Sequence, residues 1–242
     1  FKFTIEPRTM ALLMEGRKHL RSITPARLRN ELDLLFSEEK ALEILHKLNE
    51  LEVLESIEPN LCLQAEAVRA LQSLTSPLPA PDWLTAIPKS SHLSLRQALA
   101  YALWLSNLER KVNPYLFRRL NLPSWLQETI WELGEFAAKA GELPGLKPSE
   151  QVAFLEALDP FTLYAIWLST DKPELKALID QFMSKLRKVK PKTNGKALIA
   201  LGLAPSADFS NILKRLRAAW LDGEINTEAE EETLLKSLLK SK

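Results

Sequence analysis

Residues 93–108 read LSLRQALAYALWLSNL, and this segment decides the fold class. Its apolar residues fall on most faces of a helix, which is typical of a helix buried at the centre of a domain. Around it the chain repeats one pattern, a polar residue beside a proline followed by apolar residues at helical spacing. Thr24-Pro25 and Lys147-Pro148 are two such helix starts. The sequence therefore predicts an all-α fold of successive small helical bundles in an elongated array.

The composition agrees with helices separated by proline-containing turns. The 242 residues include only seven glycines but fifteen prolines, and they are 46% hydrophobic and 26% charged. A net charge of +1 indicates no particular partner, so charge has to be judged locally. No apolar run approaches the ~20 residues of a membrane helix, and we expect no membrane partner.

The residue types needed for catalysis or metal binding are sparse. Cys62 is the only cysteine, which excludes an internal disulfide and a cysteine-based zinc site and favours a reducing, cytoplasmic location. The three histidines are far apart, and neither a glycine-rich phosphate loop nor HExxH is present. Acidic clusters fall at predicted helix starts, where they complement the helix dipole. We predict no catalytic residue, no metal site and no cofactor in this chain.

The clearest boundary is a proline-rich connection over 76–88, SPLPAPDWLTAIP. On this basis the sequence predicts a helical bundle over 1–75, a helical body over 76–184 and basic tail helices over 185–242. Six tryptophans could offer base stacking, but most lie on the apolar stripes of predicted helices, which favours core packing.

The strongest charge pattern lies in the tail. Six cations occur from Lys185 to Lys196 with no acid between them, and the run leads into Thr193-Asn194-Gly195, a predicted helix start. Cations beside helical N–H groups form a site for phosphate, and the next predicted helix adds three more cations. The predicted RNA-binding residues are Lys185, Arg187, Lys188, Lys190, Lys192, Gly195, Lys196, Lys214, Arg215 and Arg217. Contacts of this kind give affinity without base specificity.

The same tail resembles a known family. The pattern Lys192-x-x-Gly195-Lys196-Ala197-Leu198-Ile199-x-Leu201-Gly202-Leu203, followed by Leu221-Asp222-Gly223-Glu224-Ile225, resembles the tail of bacterial tRNA nucleotidyltransferases and related poly(A) polymerases. Near the other end, Ile23-Thr24-x-x-Arg27-Leu28-x-x-Glu31-Leu32 is similar to the family's neck, including its Arg-x-x-x-Glu pair. Lys147-Pro148-Ser149-Glu150 is a looser match between them.

The resemblance implies a neck, body and tail that hold the acceptor arm of tRNA, while a catalytic head domain absent from these residues transfers nucleotides. Mg²⁺ and ATP or CTP would bind in that head, and this fragment alone would be inactive. Arg27 and Glu31 would pair four residues apart and brace the neck helix beside the head. Where the family has glycines this chain has Ser206 and Ser210, which predicts a phosphate contact that is shifted to side chains or weakened.

The sequence favours the tRNA-binding part of a nucleotidyltransferase that adds CCA or A residues to tRNA 3′ ends, and it leaves two alternatives open. The parent enzyme could add CCA or only A residues to tRNA, or it could be a poly(A) polymerase that tails RNA. Alternatively, the chain is a non-catalytic helical module whose basic run docks an acidic protein or closes a dimer. The nucleotide added, the oligomeric state, and the presence of the head on the same polypeptide are left open too.

Overall fold

The computed structural model describes residues 4–84, 92–108, 113–201 and 207–240. Within these ranges the regular structure is entirely helical, so the predicted all-α fold is confirmed. The α-helices are α1 Pro7–Gly16, α2 Pro25–Ser37, α3 Ala41–Glu50, α4 Val53–Ile57, α5 Ala65–Leu71, α6 Leu95–Leu105, α7 Asn113–Arg119, α8 Ser124–Lys139, α9 Pro148–Glu156, α10 Pro160–Ser169, α11 Pro173–Ser184, α12 Gly195–Ala200, α13 Ala207–Leu221 and α14 Glu228–Lys240. Short 3-10 segments span Arg17–Ser22, Leu143–Gly145 and Leu186–Lys188.

The helices divide into two compact units. The first combines Phe1–Ala138 with Pro160–Asp171, and the second combines Lys139–Asp159 with Lys172–Lys242. Residues 76–184, predicted as one body, contribute to both units, because α10 packs on α5 and α6 whereas α9 packs on α11 and α13. The neck, body and tail division stays a prediction.

Side-chain caps fix where several helices begin. The Thr24 hydroxyl oxygen accepts the Arg27 N–H at 3.4 Å, directly before Pro25 opens α2. In α14 the Glu230 carboxylate accepts the Thr227 N–H at 3.0 Å, and the Thr227 hydroxyl accepts the Glu230 N–H at 3.3 Å. The start of α2 at Thr24-Pro25 was predicted from the sequence and is confirmed, because capping needs only residues within one turn.

The core of the first unit is built around α6. Every residue from Ala98 to Leu105 is at most 3% exposed, which confirms the buried helix predicted from its apolar sequence. The Trp104 indole N–H donates to the Cys62 carbonyl at 2.9 Å, so this buried polar group is satisfied. The Phe36 ring meets the rings of Tyr101 and Trp104 edge-on, with centroids 4.8 and 5.9 Å apart.

The described part of the proline-rich connection, 76–84, packs within the first unit. The Tyr164 hydroxyl on α10 donates to the Pro79 carbonyl at 2.6 Å. Trp83 lies edge-on to Tyr164 and to Trp167, at centroid distances of 6.4 and 6.3 Å. The prolines therefore shape a segment that covers the core, and these aromatic side chains fix it in place.

The second unit has its own apolar cluster, which positions the basic tail. Leu198 on α12 packs with Ile212 and Leu216 on α13 and Leu235 on α14, and all four are at most 6% exposed. Since α12 is only six residues long, this burial rather than its own hydrogen bonds holds it in place.

Candidate nucleic-acid interface

Besides Lys192, five predicted RNA-binding lysines are exposed on the second unit. They are Lys185, Lys188, Lys190, Lys196 and Lys214. None of them has an ion pair in the part of the chain that the structure describes. Arg187 is exposed as well, and its guanidinium contacts the Met183 sulfur at 3.5 Å. These cations are available to an anionic ligand.

Three other predicted residues are already paired with carboxylates. The Lys192 ammonium lies 3.0 Å from a Glu228 oxygen, and this hydrogen bond and charge raise the pKa of Lys192. Arg215 pairs with Glu224 at 2.5 Å, and Arg217 pairs with Glu156. Both side chains of the Lys192–Glu228 pair are well exposed, so water and salt screen the attraction between them. A phosphate could therefore displace Glu228.

Arg217 holds the backbone of the basic segment. Its two terminal nitrogens donate to the Glu156 carboxylate at 2.8 and 2.6 Å, and its Nε donates to the Val189 carbonyl at 2.8 Å. A further contact of 3.4 Å reaches the Arg187 carbonyl. The sequence predicts Arg217 as an RNA contact, and in the structure its guanidinium is bonded to a carboxylate and to carbonyls of the chain itself. The RNA contact of Arg217 stays a prediction. Lys214 lies one turn earlier on α13, on the same side of the helix.

The backbone N–H groups expected to bind phosphate are occupied by a carboxylate of the chain itself. Glu231 is 1% exposed, and it accepts the N–H groups of Lys192 and Thr193 at 3.0 and 2.7 Å and the indole N–H of Trp220. Burial raises the pKa of this carboxyl, but the hydrogen bonds from Thr193, Trp220 and Lys192 outweigh it and lower the pKa below its ordinary value. The N–H groups of Lys192 and Thr193 are therefore not free to bind a phosphate.

The predicted helix start at Thr193-Asn194-Gly195 is present. The Asn194 side-chain oxygen accepts the N–H groups of Lys196 and Ala197 at 3.0 and 3.1 Å, so the first free N–H groups of α12 serve its own cap. Gly195 is half-buried, and a Cβ added there would meet no atom within 4 Å. Open space therefore lies in front of this position.

Two motifs quoted for the family resemblance meet in the second unit. The Asp222 carboxylate accepts the Ser149 N–H at 2.7 Å and the Ser149 hydroxyl at 2.8 Å, which caps α9 from the end of α13. Gly223 follows with φ of 69°, in the left-handed region that glycine adopts without strain. The contact joins residues 73 positions apart, so neither motif alone predicts it.

Known proteins are similar to this chain in sequence and in fold. Residues 2–64 match the family model described as "Probable RNA and SrmB-binding site of polymerase A". The A-adding tRNA nucleotidyltransferase of Aquifex aeolicus is 28% identical over 185 residues, 76% of this chain and 22% of that protein. The CCA-adding enzyme of Thermotoga maritima, solved in complex with tRNA, covers all of this chain with a TM-score of 0.68 at 20% identity.

An apo form of a CCA-adding enzyme gives a similar match, with a TM-score of 0.69 at 20% identity over all of this chain and 56% of that one. The resemblance to the tRNA nucleotidyltransferase and poly(A) polymerase family is confirmed. This chain spans 58% of the Thermotoga protein. The likeness to the tRNA nucleotidyltransferases thus concerns a helical part of larger proteins.

Arg27 and Glu31, quoted for the neck resemblance, lie on α2, inside the matched residues 2–64. Arg27 and Glu31 are both exposed, and no ion pair joins them in the described structure. The pair four residues apart that forms on α2 is Arg29–Asp33, at 2.7 Å. The Tyr101 hydroxyl also donates to Asp33 at 2.8 Å, and the pKa of Tyr101 is raised by burial and by the Asp33 charge. Bracing by Arg27 and Glu31 stays a prediction.

Ser206 lies outside the described residues, and Ser210 is exposed on α13. Across the described ranges no three His, Cys, Asp or Glu side chains come together as a metal site. No single described helix is long and apolar enough to cross a membrane, although α9 and α10 taken together reach that length and composition across a sharp bend.

Proposed function

We propose that this chain holds the acceptor arm of tRNA for a nucleotidyltransferase that adds CCA or A residues to tRNA 3′ ends. The observation that carries the proposal is the set of exposed lysines on the second unit that have no ion pair among the described residues, displayed on a backbone that Arg217 and Glu231 fix in place. The names of the Aquifex and Thermotoga relatives support tRNA as the RNA, in preference to an mRNA being tailed.

The lysines would act by neutralising phosphates. Each ammonium that meets a phosphate releases condensed counterions from the RNA, which makes the affinity steeply dependent on salt. Because the segment around Val189 is anchored to Arg217, the lysines on either side keep a fixed spacing. A fixed spacing lets one strand of the acceptor arm meet several cations in turn and so orients the RNA.

Nucleotide transfer is assigned in this proposal to a head domain outside the 242 residues. That head would bind Mg²⁺ and ATP or CTP and supply the metal-assisted phosphoryl chemistry. The residues of this chain bind the RNA and present its 3′ end. A cytoplasmic location fits this role and the single cysteine.

The test is the binding of tRNA to the intact chain as a function of salt concentration. In the triple variant K185A/K188A/K190A, three unpaired cations are lost. We expect its affinity at about 0.1 M salt to fall by roughly tenfold or more and its salt slope to fall by about three, since each phosphate contact contributes about one to that slope. Unchanged affinity would overturn the proposal.

The matched control removes the same charge where each lysine is already paired. Lys40, Lys47 and Lys236 lie 3.6, 3.0 and 4.0 Å from Glu43, Glu50 and Glu232. The variant K40A/K47A/K236A should keep a tRNA affinity close to that of the wild type. An equal loss in both triple variants would mean that net charge, and not this surface, attracts the RNA.

A protein-interaction module gives a different result in the same assay. If the lysines dock an acidic protein, a glutamate-rich peptide should compete with tRNA at micromolar concentration in about 0.15 M salt, where screening has weakened unspecific attraction. We expect no such competition.

A further inference from the structure

The first unit carries an exposed aromatic side chain that the fold does not use for packing. Tyr115 on α7 is 65% exposed, the highest value among the described large hydrophobic side chains. The guanidinium carbon of Arg118 lies 5.1 Å from the centre of its ring. Leu116 and Phe117, on the other side of the same helix, are at most 1% exposed. The buried pair thus fixes α7 while the ring and the cation face water.

Hydrogen bonds join the helix that carries Tyr115 and Arg118 to the elements beneath it. The Arg119 guanidinium donates to the carbonyls of Leu20 at 2.6 Å and Ile23 at 2.7 Å, with a longer contact of 3.4 Å to Ile57. From α2, Arg29 donates to the Asn121 carbonyl at 2.9 Å, in the turn that follows α7. These bonds tie α7 to the 3-10 segment and to α2, so a ligand at Tyr115 would meet a preformed surface.

The elements under α7 are strongly basic. Between Glu15 and Glu31 the sequence has no acidic residue. The basic residues in this interval are Arg17, Lys18, His19, Arg21, Arg27 and Arg29. Arg17 pairs with Glu52, and Arg29 pairs with Asp33. Lys18, Arg21 and Arg27 are exposed and have no ion pair among the described residues.

We propose that Tyr115 and Arg118 form a stacking site for one unpaired nucleotide of the bound RNA, with Lys18, Arg21 and Arg27 as cations for its phosphates. The inference rests on the proposed function and extends it, from phosphate contacts in the second unit to a base contact in the first. An exposed ring beside a guanidinium plane is the combination that stacks on nucleobases in single-stranded RNA. Every base has such a face, so the contact tolerates any sequence.

Charge favours RNA over a protein at this site. A protein hot spot surrounds its aromatic anchor with a ring of groups that exclude water. On α7 the exposed residues beside Tyr115 are Pro114 and Arg118. The 3-10 segment and α2, to which Arg119 and Arg29 bond this region, carry the exposed cations Lys18, Arg21 and Arg27, and Glu58, next to Ile57, is a half-buried acid on the same support. An apolar partner would leave these cations unpaired, whereas a polyanion with exposed bases satisfies both features.

The experiment compares two RNAs: a hairpin with a single-stranded 3′ overhang containing 2-aminopurine, and the same hairpin with a blunt end. Tyr115→Ala should weaken binding of the overhang hairpin by about 5- to 150-fold, the range for losing one stacked base, and should abolish the quenching of 2-aminopurine. Binding of the blunt hairpin should not change. Tyr115→Phe, which keeps the ring, should bind as the wild type does, and an unchanged thermal unfolding midpoint checks the fold of each variant.

The outcomes separate this inference from the proposed function. If K185A/K188A/K190A weakens both hairpins but Tyr115→Ala weakens neither, the stacking site is wrong and the proposed function stands. If the wild-type chain binds neither hairpin, the proposed function fails first. Equal weakening of both hairpins by Tyr115→Ala would overturn stacking on an unpaired base, as would a Tyr115-dependent capture of an acidic peptide in place of RNA.

Discussion

Arg217 and Glu156 meet in a two-point ion pair, with N–H···O distances of 2.8 and 2.6 Å. The third donor of the same guanidinium binds the Val189 carbonyl at 2.8 Å. Val189 lies in the middle of the basic segment, so one side chain on α13 links α9 to the path of the lysines. Only a planar, fork-shaped cation can make these bonds together, and this is the physical reason for an arginine at position 217.

The loss of this link should destabilise the second unit. We expect Arg217→Ala to lower the free energy of unfolding by about 1–3 kcal/mol, toward the lower end because both side chains are partly exposed to water. Arg217→Lys keeps the charge but not the geometry, and it should lose most of the same stability. Denaturant unfolding of the single variants and of R217A/E156A gives the coupling between the two side chains.

Arg215 offers the matched control on the same helix. Its pair with Glu224 leaves about two-fifths of each side chain exposed, so Arg215→Ala should cost less than about 1 kcal/mol. Equal losses of stability in Arg215→Ala and Arg217→Ala would show that Arg217 has no special positioning role.

These pairings mark the limit of prediction from the sequence. The basic run and its helix start are local, and both are present as predicted. Glu156, Glu224 and Glu228 decide which cations are left without an ion pair. The packing of α9, α13 and α14 brings these carboxylates to the cations. The order of charges along the sequence does not show which of these ion pairs form.

The ion pair on α2 shows the same limit of prediction from the sequence. Arg27 and Glu31, and Arg29 and Asp33, are both spaced four apart on α2, so helical spacing alone allows either pair. Burial selects the second, because Tyr101, 68 residues away from Asp33, donates to it from α6. By contrast, the buried nature of α6 was predictable, because its apolar residues cover most of its own surface.

Glu231 should make the second unit sensitive to acid. Its pKa is lowered in the folded chain, so the unfolded chain binds the proton more tightly. The stabilisation is therefore fully present above the unfolded pKa, near 4.5, and is lost as the pH falls through the lower folded value. Glu231→Gln should lower stability at neutral pH and reduce the further loss between about pH 5 and pH 3, measured by denaturant unfolding at each pH.

The neighbouring residue Glu232 is exposed and serves as the control, because Glu232→Gln removes the same charge from the same turn of α14. Its pH profile should follow that of the wild type. If Glu231→Gln gives an unchanged profile as well, the buried carboxylate does not hold the N–H groups of Lys192 and Thr193 in solution.

Asp222 should stabilise α9 as a cap supplied from another helix. Asp222→Ala leaves the Ser149 N–H and hydroxyl without their acceptor, and we expect a loss of about 1–2 kcal/mol in the free energy of unfolding. Asp222→Asn keeps one acceptor oxygen and should lose less. Ser149→Ala removes only the hydroxyl bond, so its effect and that of Asp222→Ala should not add in the double variant. Simple additivity would argue against the cap.

Arg118 and Arg119 are neighbours in the sequence for which we expect opposite effects. Arg119 is bonded to carbonyls of the segment below α7, so Arg119→Ala should lower the free energy of unfolding by about 2–3 kcal/mol, because these acceptors lose a charged donor. Arg118 is exposed, and among the described residues its side chain has no hydrogen bond or ion pair and lies over the Tyr115 ring. Arg118→Ala should therefore leave thermal unfolding almost unchanged while it weakens binding of the overhang hairpin. Thermal unfolding and RNA titration of both variants form one test. Equal stability of the two variants would contradict the anchoring role of Arg119, and full RNA affinity in Arg118→Ala would contradict the role of Arg118 at the stacking site.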